Sequence, residues 1–178
     1  RILKEVDRSV LLIFADNDKA KKNLTKEIIL RGIQPNRIIF GKRLSKSEYL
    51  ARYQVADLFL DTLPYNAGAT ASDALRMGLP VLTCLGNSLV SRMGASLLNA
   101  VNLPELIKTN QEEYESFAIE LAMNPEKLKI IKNKLATNLP TARLYNTTLF
   151  TKNLESAYLQ MYDKYQKGLD SDHIYLEY

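Results

Sequence analysis

Four short, chiefly apolar runs constrain the fold of this 178-residue chain more than any other feature of it. They are Val10–Ala15, Arg37–Phe40, Ala56–Asp61 and Val81–Cys84. Runs of this length, rich in Val, Ile, Leu and Phe, suit strands buried on both faces. The segments between them carry helix signals. Asp18–Arg31 reads as a polar-capped helix stopped by Gly32, with Pro35 just beyond. Ser45 and Glu48 have the spacing of a capping box, and the helix they open runs to about Gln54. A loop holding Pro64, Asn66 and Gly68 leads into a short helix at about Ala71–Met77, ended by Gly78. Alternation of this kind predicts an α/β fold, a parallel Rossmann-like sheet with flanking helices.

From Ser88 the pattern turns helical. Ser88–Ala100 has apolar residues at helical spacing, Asn110 with Glu113 suggests another capping box, and Pro125 follows Asn124 at a helix start. Thr147–Lys167 reads as a long C-terminal helix whose stripe of Leu154, Tyr158, Met161, Tyr162 and Tyr165 is expected in the core. Residues 1–168 are read as one domain and 169–178 as a tail. The first residues look like the end of a helix, and the chain opens on Arg1 rather than Met.

Composition narrows the chemistry. A single cysteine, Cys84, excludes an intrachain disulfide, and with a single histidine, His173, it provides no zinc cluster of thiolates and imidazoles. A reducing, cytoplasmic setting is expected. Basic and acidic residues, 24 against 20, alternate instead of forming a stripe, which argues against nucleic acid as a partner. No apolar run is long enough to cross a bilayer.

The densest constellation is Asp61 to Asp73, DTLPYNAGATASD, where a strand ends, a loop of small residues follows and a helix begins. Ligands of parallel α/β sheets bind outside the carboxyl ends of strands, and a helix start offers free N–H donors to phosphate. Gly68, Ala69 and Ala71 let the backbone approach a ligand, Thr70 adds a hydroxyl, and Asp73 is placed to accept from ribose. The alternative is structural, with Thr70 as N-cap and Asp73 as dipole partner. Asp16-Asn17-Asp18 has the Asp-x-Asp pattern of metal-dependent glycosyl transfer, but its position after the first strand favours helix capping.

Several blocks occur in one order: Asn36–Phe40, Ala56–Thr62, Asn66–Val81, Ser91–Leu98, Leu103–Leu106, Leu154–Tyr162 and Asp172-His173. This series resembles the C-terminal catalytic lobe of the O-linked N-acetylglucosamine transferase and SPINDLY family. The resemblance implies a GT-B architecture and metal-independent transfer of a sugar, without a cofactor, from a nucleotide donor to Ser or Thr of an acceptor protein. It assigns Gly68, Ala69 and Thr70 to the donor diphosphate, Asp73 to the ribose, and Lys46 to a catalytic position near both. Tyr49 falls where the transferases carry a His against uracil; Arg52 and the Leu44 backbone match further base contacts.

Breaking the anomeric C–O bond leaves charge on the diphosphate, which Lys46 and the helix end would stabilise. UDP-N-acetylglucosamine is the donor the resemblance favours. Gly68-Ala69-Thr70, where the transferases usually show His-Thr-Thr, is closer to the SPINDLY pattern and keeps GDP-fucose and a non-catalytic binding domain as alternatives. The resemblance also places a lysine-bearing first strand and an N-terminal lobe before Arg1. These 178 residues alone are therefore expected to be inactive, and an N-terminally truncated sheet to favour a homo-oligomer.

Overall fold

A computed structural model describes residues 1–176. A single turn, α1 (Ile2–Glu5), precedes β1 (Leu11–Phe14), α2 (Asp18–Leu30) and β2 (Ile38–Gly41). Then come α3 (Lys46–Arg52), β3 (Phe59–Leu60), α4 (Ala69–Arg76), β4 (Val81–Cys84) and α5 (Met93–Ala100). The chain continues through β5 (Ile107–Lys108) to three helices, α6 (Gln111–Met123), α7 (Pro125–Asn138) and α8 (Thr147–Gln166). All strand pairs are parallel, and each predicted strand is present. β5 is an additional strand whose two residues form too short a run to announce themselves.

The strands form two sheets among the described residues, β1–β2 and β3–β4–β5. β1 and β3 do not pair, so one edge of each stays open at the junction of the two halves. The apolar core sits under the three-stranded sheet. Leu75 on α4, Leu82 on β4, Leu98 on α5, Leu121 on α6 and Leu135 on α7 are buried together. Every residue of β4 is buried, as a central parallel strand requires.

Local signals explain most boundaries. Asn17 caps α2 by accepting from the Ala20 amide, which gives Asp16-Asn17-Asp18 its capping role. Gly32, at φ 74°, supplies the left-handed turn that ends α2. Ser45 and Glu48 form the full capping box of α3. Its Ser45 bonds hold the Glu48 carboxyl below the ordinary carboxylate range. Asn110 caps α6, but Glu113 reaches the Thr109 amide rather than that of Asn110. α5 begins at Met93, behind a separate 3-10 turn at Leu89–Ser91, not at Ser88.

A further expectation, on the core, fails. The α8 stripe is not core: Tyr158, Tyr162 and Tyr165 are 59%, 63% and 78% exposed. Periodicity marks a face as apolar without supplying a partner to cover it. Residues 169–176 carry no regular element; the rest of the expected tail, residues 177 and 178, lies outside the described residues. No helix among the described residues is long and apolar enough to cross a membrane.

Candidate functional site

Two loops leave the carboxyl ends of their strands and lead into helices: residues 42–45 from β2 into α3, and 61–68 from β3 into α4. This is the edge of a parallel sheet at which ligands are received. Lys46 is the first residue of α3, and its Nζ donates to Asp73 Oδ2 of α4 at 2.9 Å. The lysine is largely exposed, so the pair adds about 0–1 kcal/mol to stability. Its consequence is placement: a solvent-accessible cation stands one turn into α4, beside that helix's start.

That start has no side-chain cap. Gly68 is the N-cap and Ala69 the first helical residue, which puts Thr70 second and displaces it from the N-cap role that sequence allowed. The first N–H groups of an uncapped helix face solvent or a ligand, and the helix dipole favours an anion there. A Cβ on Gly68 would meet Met93 Cγ at 3.6 Å, an ordinary contact. Packing therefore does not require glycine at this position; its effect is to leave the helix start uncovered.

An aromatic group links the two helices. Tyr49 has the Lys46 ammonium 5.1 Å and the Arg52 guanidinium 5.7 Å from its ring centroid, within cation–π range. Arg52 also donates to the Lys42 carbonyl at 3.1 Å, which ties α3 to the preceding loop. Tyr53 donates its hydroxyl proton to the Thr70 carbonyl at 3.1 Å, so the Tyr49 hydroxyl is the donor in the bond between the two tyrosines. Burial pushes the Tyr53 phenol far above its usual range and keeps that donor protonated.

The structure thus gathers Lys46, Tyr49, Arg52, Thr70 and Asp73 around the junction of α3 and α4, with Gly68 and Ala69 at the helix start. Leu44 is exposed in the loop two residues before α3. Sequence reasoning missed Tyr53, whose four-residue separation from Tyr49 on one helix face was the available signal. It also left Asp61 and Asn66 without roles, although both are buried polar residues in the loop. Cavities of about 270 and 290 Å³ lie elsewhere, at Lys108–Glu120 and at Leu139–Thr148.

The sequence profile described as glycosyl transferase family 41 matches residues 1–154. The chain belongs to that family. It is 31% identical over 174 residues to the UDP-N-acetylglucosamine–peptide N-acetylglucosaminyltransferase of Caenorhabditis elegans, covering 98% of this chain and 15% of the relative. With SPINDLY of Solanum lycopersicum it shares 30% identity over 172 residues, 94% of this chain and 18% of that protein. A mutant O-GlcNAc transferase from Thermobaculum terrenum superposes with a TM-score of 0.85 at 31% identity, over 94% of this chain and 33% of that one. This family 41 chain therefore spans under a fifth of the length of those two curated relatives. Its fold is the Rossmann-like C-terminal lobe of a GT-B glycosyltransferase.

Proposed function

We propose that this chain is the nucleotide-binding side of the donor site of a protein O-glycosyltransferase, with UDP-N-acetylglucosamine as donor. The observation that carries the reading is the Lys46–Asp73 pair beside the uncapped start of α4. In this reading the amides from Gly68 to Thr70 receive the diphosphate and the Asp73 carboxylate accepts from the ribose. Lys46 turns from Asp73 to the phosphates. Tyr49 offers a ring to the base, with Arg52 and the Leu44 backbone as further contacts. As the anomeric C–O bond breaks, negative charge gathers on the leaving diphosphate. Lys46 and the α4 amides stabilise it, without a metal ion, because they are in place before the charge develops. The acceptor in this reading is a peptide, as the name of the nematode relative suggests, and its Ser or Thr hydroxyl is the group the family resemblance implies.

Calorimetric titration of the chain with UDP and with GDP, repeated on Asp73→Ala, tests this. UDP binding that the substitution weakens is expected. Binding of neither nucleotide would sink the reading. Gly68 and Ala69 favour a second reading, a SPINDLY-like donor site for GDP-fucose, for which GDP would bind tighter than UDP. A domain that binds nucleotide without transfer would bind in the titration and leave a full-length parent without turnover.

The 178 residues by themselves are proposed to turn over no donor, since Lys46 and the α4 start form one open wall. Release of UDP from the donor by this chain would overturn that. The open edges of β1 and β3 further support association with a second copy, and a monomer in sedimentation at all concentrations would refute it.

A further inference from the structure

The loop between β3 and α4 is held from inside by a carboxylate. Asp61 is only 5% exposed, and three donors converge on its side chain. Oδ1 accepts from the Thr62 amide at 2.9 Å and the Ala67 amide at 2.7 Å, while Oδ2 accepts from the Thr83 hydroxyl of β4 at 2.6 Å. The Tyr114 hydroxyl of α6 donates to the Asp61 carbonyl at 2.9 Å. One side chain thus closes the 61–67 turn on itself and fastens it to the central strand.

Asn66, 2% exposed, is the second anchor. Its Nδ2 donates to the Thr62 carbonyl at 2.9 Å, its Oδ1 accepts from the Gly94 amide of α5 at 3.4 Å, and its own amide donates to the Val90 carbonyl at 2.9 Å. Gly94 permits this arrangement. A Cβ there would collide with the Asp61 carboxylate and the Thr83 hydroxyl. A buried carboxylate is costly unless its acceptors are filled, and this one is filled by donors fixed in β4 and in the loop itself.

We propose that Asp61, supported by Asn66, is a positioning residue for the donor diphosphate. By holding the Ala67 amide it fixes the residue immediately before Gly68, and so sets where the free amides of the α4 start stand before any ligand arrives. Asp61 is buried behind the loop and acts only through the backbone. This inference rests on the donor-site reading above and adds the device that preorganises the site.

The experiment compares the chain with Asp61→Ala, Asp61→Asn and Asn66→Ala. It measures affinity for UDP and for uridine, and amide hydrogen exchange of unliganded protein. Asp61→Ala is expected to weaken UDP about tenfold or more while sparing uridine. Exchange of the hydrogen-bonded Asn66 and Ala67 amides should rise ahead of exchange in β4. Asp61→Asn should recover most of both, because an Asn Oδ1 still accepts the two amides and its NH₂ can donate to Thr83. Asn66→Ala should show the same pattern more weakly, and it decides the matter if Asp61→Ala does not fold. Equal losses for UDP and uridine, or a uniform rise in exchange, would overturn the proposal. If the parent chain binds neither UDP nor GDP, the donor-site reading fails instead. Exchange of the bonded 66 and 67 amides in the unliganded variants then decides by itself whether Asp61 sets the loop.

Discussion

The two halves of the molecule are built from the same βαβ pattern but differ in what covers them. In β4 all four residues are buried, with α4, α5 and α6 all packed against the strand. In β1 the same kind of sequence alternates between half-buried and exposed, with Leu12 and Phe14 at 39% and 47% exposure. α2 has no buried residue at all. Apolar composition made both strands; neighbours on both faces and both edges made only one of them core. The candidate site spans this divide. Lys46, Tyr49 and Arg52 come from the thinly covered half, whereas Asp73 and the α4 start are set on the well-packed half.

The largest test of this contrast is to cut the same side chain in each half. Leu82→Ala should cost about 2–5 kcal/mol of unfolding free energy, as for a fully enclosed leucine. Leu12→Ala should cost about 1 kcal/mol or less, because much of its surface is already in water. Chemical denaturation measures both, and equal losses would erase the distinction. Native-state hydrogen exchange should show β1–β2 amides opening well before those of β4.

Binding sharpens the comparison next. Asp73→Ala should weaken UDP about tenfold through loss of a hydrogen-bonded carboxylate. Lys46→Ala should weaken it to a similar degree while changing stability by less than about 1 kcal/mol, because its ion pair is exposed. A Lys46→Ala protein that melts several degrees lower would show that the pair is structural instead.

The smallest effect expected is on acid stability. Glu48 has a folded pKa below its ordinary value of 4.5, caused by its Ser45 bonds. Its contribution is therefore present above that value and is lost as the pH falls through the lower, folded one. Glu48→Gln should remove that contribution, so the variant is slightly less stable at neutral pH and the two proteins converge as the pH falls through the folded value. Thermal melts at a series of pH values below 6 would register it, and parallel curves for both proteins would dismiss it.

Much was legible because it is local. Capping at Asn17, Ser45, Asn110 and Asn124, the left-handed glycines at 32 and 78, and four of the five strands all follow from residues within a few positions of one another. So does the placement of a strand-to-helix turn at 61–73. Short-range sterics and hydrogen bonding specify these features before any tertiary contact exists.

What only the tertiary structure decided is which surfaces meet. It left the α8 tyrosines exposed, separated β1 from β3, and put Lys46 against Asp73 across 27 positions of sequence. It also turned Asp61 inward onto Thr83, 22 positions away, where sequence showed only the polar end of a strand. Pairings of that kind depend on how helices pack over the sheet, and a periodic pattern names a face without naming its neighbour.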